Sequence, residues 1–316
     1  MRLTDGSQCV AELPATGCVD GHVDRQDVLR IRAGLTFGLG AYLWWGLQPV
    51  YFRVIASVPA PEVLAHRIVW SWVLLMFLLL LSGRGRTAIL AVRRGRTLGT
   101  LVATTCMIAA NWYFFIWAVA HGRVLQASLG YFISPLITVL LGRVFLGERL
   151  RRWQTISVLL AAGGVAYLTI HHGQIPTLAL VLALSFSLYA ILRKGTNVDA
   201  RAGLTIETTM LLPFALIYLA HLSARGELVF ASTSRSLDAL LALAGVITAV
   251  PLLLFVSAAR RLRLTTLGFL QYIVPSIQFL LAVVAYHEAF TQVHMISFGC
   301  IWTALVIYSL DSRRNR

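Results

Sequence analysis

At 316 residues and 58% apolar composition, with a mean hydropathy of +0.76, the chain is too hydrophobic for a soluble domain, whose apolar share sits at about 45 to 50%. It reads as an integral membrane protein. A formal charge of +14 does not signal nucleic acid, because the basic residues crowd into short gaps between apolar spans instead of lining one soluble face.

Residues 1–33 mix five acidic residues with arginines, lack the basic start and apolar core of a signal peptide, and predict a disordered tail. Ten apolar spans follow, over 34–52, 62–81, 98–120, a fourth ending at Gly147, then 153–170, 174–193, 204–222, 238–258, 264–286 and 292–310. Each is long enough to cross a bilayer as a helix. Pro49 is expected to kink or end the first. Gly34 and Gly38, and the AAGG run at 161–164, offer faces on which another helix can approach closely. The fold class is therefore all-α integral membrane with ten transmembrane helices, and 312–316 forms a short C-terminal tail. Cys9 and Cys18 lie in the first tail and Cys106 and Cys300 in apolar runs, a spacing that builds neither a disulfide framework nor a zinc site; no metal or cofactor is called for.

Lysine and arginine in the gaps set the orientation. With the N-terminus in the cytoplasm, inside segments carry 21 of them and outside gaps 4. Both termini are expected on the cytoplasmic side of the cell membrane.

The stretch LGYFISPLITVLLGRVFLGERL at 129–150 has a degraded copy, LGFLQYIVPSIQFLLAVVAYHEAF, at 267–290. Pro135 precedes Glu148 by thirteen residues and Pro275 precedes Glu288 by the same thirteen. A duplication with five helices per half, 34–171 and 172–311, must insert its second copy upside down, since five is odd. The first copy ends GERLRRW, with three arginines; the second ends HEAFTQVH, with none. That difference is what the positive-inside rule asks of an inverted pair, and inverted repeats broken at matching prolines mark secondary transporters.

Glu62 and His66 lie one turn apart on the second span, with Arg67 next to His66. Ionisable groups in a span face a cavity or a partner, although Glu62 could instead cap the helix start and Arg67 could reach the headgroups. Glu207 occupies in the second half the place that Glu62 holds in the first, so the two carboxylates are candidates for gating or coupling at opposite mouths. Asn111, Tyr131, Gln271, Tyr272 and Gln278 are polar groups that hydrocarbon will not tolerate unpaired. Interhelical hydrogen bonds explain them as well as substrate contact does. Trp45, Trp112 and Trp117 read as packing or interfacial anchors.

Several strings, EVLAHRIVWS (62–71), NWYFFIWAVAHGRVLQASLGYFISPL (111–136), LGERLRRWQ (146–154), GLTIE (203–207), TAVPLLLF (248–255) and GFLQYIVPSIQFLLAV (268–283), give a chain that resembles the drug/metabolite transporter superfamily with its tandem EamA repeats, in the RarD branch. The resemblance covers about 34 to 311 and implies a ten-helix inner-membrane carrier, often associated with chloramphenicol sensitivity. Ser134 stands where that family more often has asparagine.

The functional reading is a secondary transporter moving a small metabolite or amphipathic compound by alternating access. Lys194, the only lysine, follows Arg193, so no Walker A motif exists to drive transport with ATP. A membrane scaffold or sensor, or an intramembrane enzyme, are the rival classes; the nearest enzyme signature, HEAFT at 287–291, lacks the second histidine of HExxH. Expected partners are a small-molecule substrate and membrane lipid, not nucleic acid, with a homodimer left open.

Overall fold

The computed structural model describes residues 25–83, 95–146, 151–172, 175–194, 196, 198, 200–259, 261–262, 267 and 270–314. Among them run ten helices: α1 (Arg25–Val54), α2 (Ala60–Leu81), α3 (Gly95–Ala120), α4 (Val124–Leu146), α5 (Arg152–His172), α6 (Thr177–Lys194), α7 (Ala200–Arg225), α8 (Arg235–Ala259), α9 (Ile273–Leu280) and α10 (Gln292–Arg314). A π-helical turn, Leu281–Ala285, extends α9. Six of the described helices are long and apolar enough to cross a membrane, and the protein is a multi-pass membrane protein.

Two expectations need correction. The first helix begins at Arg25, inside the segment read as a disordered tail, because 25–33 contains no glycine or proline to stop it. Nor does Pro49 end that helix, which continues to Val54; how the broken backbone bond is repaired belongs to the site below. Glu148, Cys9 and Cys18 lie outside the described residues.

Large apolar side chains face outward, as lipid requires: Phe77 is 58% exposed, Phe214 72% and Ile170 75%. Polar groups turn inward, with Glu62, His66, Arg67, Asn111, Glu207 and Gln278 all buried. This is the reverse of a soluble bundle and follows from the solvent.

The helix pairings have a simple rule. Helix α1 packs on α8 and α9, while α6 packs on α3 and α4; α2 meets α8 while α7 meets α3; α2 meets α7, α4 meets α9, and α5 meets α10. Exchanging helices one to five with six to ten turns this set of contacts into itself. Helices α5 and α10 form a peripheral pair, and the other eight surround the centre.

Close approach depends on small residues. A Cβ built on Gly245 of α8 would meet the Trp70 carbonyl carbon and oxygen of α2 at 2.5 Å, and one on Gly130 of α4 would meet the Ala179 oxygen of α6 at 2.6 Å. Backbone cannot move aside cheaply. Gly245→Ala is therefore expected to destabilise the detergent-solubilised protein by about 1 to 3 kcal/mol, the usual range for overpacking. Gly163→Ala, with nothing within 4 Å, should leave the melting temperature unchanged or raise it.

Candidate functional site

A narrow cavity lies among α1, α2, α3, α4, α6, α8 and the α9 region. Tyr42, Trp45 and Gln48 line it from α1, three residues apart and so on one helical face. Helix α3 contributes Ile108, Asn111, Trp112 and Phe115 at the same kind of spacing. From α4 comes Tyr131, from α6 Phe186 and from α8 Leu252, while Gln271, Val274 and Gln278 close the far side. Six of the fourteen described lining side chains are aromatic and four are amides.

Arg67 enters this wall from α2 and is the only charged side chain among the described lining residues. It is 2% exposed. Seven residues past Ala60, it sits roughly 10 Å along the helix at 1.5 Å per residue, too deep to reach headgroups. Its guanidinium carbon lies 4.4 Å from the Trp112 ring centroid and 5.5 Å from that of Phe52. Yet its Nε and Nη1 have no hydrogen-bond partner, and no described carboxylate comes within 4.0 Å. Cation–π contact returns about 2 kcal/mol when desolvated, whereas an uncompensated buried charge costs about 3 to 5 kcal/mol. The site leaves the arginine short of a partner.

The amides repair broken backbone. A proline at position i cannot donate to the carbonyl at i−4, so Pro49 frees the Trp45 oxygen and Pro251 frees the Ile247 oxygen. Gln278 Nε2 donates to the Trp45 oxygen at 3.3 Å, and Gln48 Nε2 donates to the Ile247 oxygen at 3.1 Å. Each glutamine belongs to the opposite half from the carbonyl it satisfies. Gln278 Oε1 remains buried without a partner. Asn111 is fully used: its Nδ2 donates to the Leu182 oxygen and to Ser185 Oγ, and its Oδ1 accepts from the Tyr131 hydroxyl at 3.2 Å.

Two buried carboxylates stand away from the cavity. Glu62 Oε1 accepts from the backbone N–H groups of Val229 and Phe230 at 2.9 and 3.2 Å, tying α2 to the loop after α7. His66 stacks on Phe230, centroids 4.7 Å apart, and its Nε2 stands 3.9 Å from Glu62 Oε1. Glu207 accepts from Thr104 Oγ1 at 2.7 Å and from the Tyr189 hydroxyl at 3.4 Å, with Arg193 Nε at 3.5 Å, tying α7 to α3 and α6. These ties hold opposite ends of α7, from Glu207 to Arg225 roughly 27 Å of helix.

A third carboxylate works at a helix start. Glu288 accepts from the N–H groups of Val124 and Leu125, both at 2.8 Å, satisfying the first orphan donors of α4. His287, in the left-handed region at φ 52°, turns the chain so that this can happen. Burial pushes the Glu288 carboxyl above the ordinary range, against the opposing pull of the two N–H groups and Arg53.

Of the residues singled out from sequence, the cavity gathers Arg67, Asn111, Tyr131, Gln271 and Gln278. His66 and Tyr272 do not line it: His66 belongs to the Glu62 tie, and Tyr272 packs against the apolar core. Tyr42, Trp45, Gln48, Trp112, Phe115 and Phe186 were missed. Gln48 was legible in principle, since it adjoins Pro49 and a buried proline needs a donor nearby; the aromatics carried no such mark.

Comparison with known proteins places these features in a family. The family model described as EamA-like transporter family matches residues 32–170. An "Uncharacterized transporter" of Vibrio cholerae is 46% identical over 91% of this chain and 94% of its own length. "Protein RarD" of Salmonella typhi is 43% identical over 90% of this chain and 97% of its own. A solved crystal structure superposes with a TM-score of 0.61 at 21% identity, covering 90% of this chain and 99% of that one, a likeness of fold alone.

Truncating Glu288 to alanine strands two N–H groups and should cost about 1 to 2 kcal/mol, with Glu288→Gln costing less because one acceptor survives. The pH dependence has a definite sign. A carboxyl held above its ordinary value favours the folded chain most at pH below the ordinary carboxylate range, and that contribution is lost as pH rises through the raised value. Melting curves across pH should therefore show a slope in the parent that Glu288→Gln flattens. Separately, Glu62→Ala should speed hydrogen exchange at the Val229 and Phe230 amides while leaving that of central α7 unaltered.

Proposed function

We propose that this chain, which belongs to the EamA-like transporter family in its RarD branch, is a secondary transporter of the cell membrane that carries a small molecule through the central cavity by alternating access. The observation that carries this reading is the cavity itself, a wall of aromatics and amides with one unpaired cation, drawn from both halves of the chain and enclosed by lipid-facing helices. A scaffold has no need of such a space. An intramembrane enzyme would need a nucleophile with its base beside it, and the described lining offers neither.

The contact pattern that survives exchange of the two halves, together with the charge asymmetry of the two repeat ends, supports an inverted pair of five-helix units over 34–171 and 172–311 with both termini in the cytoplasm. In that arrangement the Glu62 tie lies toward the outer face and the Glu207 tie toward the inner face. Each joins segments that would part if that mouth opened, and its bonds would be lost with that parting. The two ties are thus the gates. Movement of compounds such as chloramphenicol is one outcome the cavity allows, since its aromatic wall suits a flat amphipathic molecule.

Topology is tested with single cysteines in a cysteine-free background. An impermeant maleimide added to intact cells should label Ala289→Cys and Thr233→Cys, and should reach Arg151→Cys only after lysis; labelling of Arg151→Cys and Ala289→Cys from the same side overturns the inversion. Transport is tested by untargeted comparison of metabolites inside and outside cells making the parent or Glu207→Gln. A compound whose distribution shifts with the parent, and at least tenfold less with an equally abundant Glu207→Gln, is the expected result. Identical profiles for parent, variant and empty cells would reject the carrier reading.

A further inference from the structure

Arg67 asks for an anion. It is buried at 2% exposure, its Nε and Nη1 donate to nothing, and it opens onto a cavity whose described lining holds no acidic side chain. Arginine stays protonated in any protein environment near neutral pH. Its guanidinium carbon lies over the Trp112 and Phe52 rings, which satisfy no N–H. Had this cation served only to hold helices together, a carboxylate or a run of carbonyls would answer it, as the Thr104, Tyr189 and Arg193 groups answer Glu207. None does.

Resting on the transporter reading, we infer that the cavity takes an organic monocarboxylate with a flat apolar body, its carboxylate bound by the Arg67 guanidinium and its body lodged among Trp45, Phe115 and Phe186. One unpaired cation and no further basic residue match a single negative charge; a phosphate ester, carrying about −1.5 to −2 near neutral pH, would exceed it. The planar guanidinium can hold both carboxylate oxygens at once, which sets the ligand's orientation. Aromatic walls then select a ring or an extended conjugated chain over a bare short acid. Substrate charge is thereby assigned to one residue of the first half, and both halves supply the surface that covers the body.

The test is binding to the full-length, detergent-solubilised protein, with no membrane gradient. Benzoate, cinnamate and 2-naphthoate are each titrated beside the corresponding alcohol and amine, by calorimetry and by shift of melting temperature. The acids should bind at least tenfold more tightly than their alcohols and amines, tightening with ring area, with no change in affinity between pH 6 and 8. Arg67→Met should abolish the preference, raising the acids' Kd by at least tenfold and leaving the alcohols' unchanged. Arg67→Lys keeps the charge and loses the fork, so it should fall between, and it keeps the test open if Arg67→Met folds poorly. Alcohols or amines binding as well as acids, acids that fail to bind at 10 mM, or an acid affinity indifferent to Arg67→Lys and Arg67→Met would each overturn the assignment. Counterflow of the same acids in sealed vesicles separates the two claims. Acids that bind through Arg67 but never exchange across the vesicle sustain the anion site while rejecting transport, whereas exchange of amines that ignores Arg67 sustains transport while rejecting the anion site.

Discussion

The structure depends on a rule of the bilayer: a backbone carbonyl released by proline inside hydrocarbon must find a donor within the protein, because no water is there to supply one. Pro49 and Pro251 release the Trp45 and Ile247 oxygens, and Gln278 and Gln48 answer them from across the molecule. An unanswered carbonyl at that depth would cost several kcal/mol, more than a typical net hydrogen bond contributes, of about 1 kcal/mol. The glutamines therefore cannot drift. With their positions set, the faces of α1 and α9 that look into the centre are set too, and the cavity inherits its shape from the repair of its own walls.

The same logic applies where helices end. Each helix leaves its first N–H groups unpaired, and here carboxylates from distant parts of the sequence take them up: Glu288 serves α4, and Glu62 serves the backbone of the loop following α7. Such ties cross between segments far apart in the chain, so separating the segments exposes donors and acceptors on both. Helical interiors satisfy their backbone groups within the helix itself.

Most of the architecture was legible because membrane insertion writes itself into composition. The apolar spans follow from a constraint that acts locally along the chain, and ten helices occupy them among the described residues. The bounds were less so: Pro49 reads as a kink or a stop, and the helix runs on past it to Val54, with Gln278 donating to the carbonyl it frees. At the site, Arg67, Asn111, Tyr131, Gln271 and Gln278 stood out because a polar group in a span is rare. Trp45, Trp112 and Phe186 did not, since an aromatic facing a cavity and one facing lipid carry the same letter. His66 and Tyr272 erred the other way, polar by type yet engaged elsewhere. Sequence reports which residues need a partner; it does not report which partner they find.

The glutamines answer in both directions, and the sequence repeats a proline-to-glutamate spacing of thirteen residues. Arg67 breaks the pattern. Counting five on from Glu207, as Arg67 lies five on from Glu62, arrives at Leu212, so the second half sends no cation to match. Two facing arginines would repel one another in a medium that screens poorly, and neither has a carboxylate in the wall to offset it. One arginine leaves a charge with no described carboxylate partner in a space lined by aromatics and amides, where the neighbouring rings offset part of the cost and the proposed anion would offset the rest. Both halves of the chain reach the centre, and this one position gives the centre a sign.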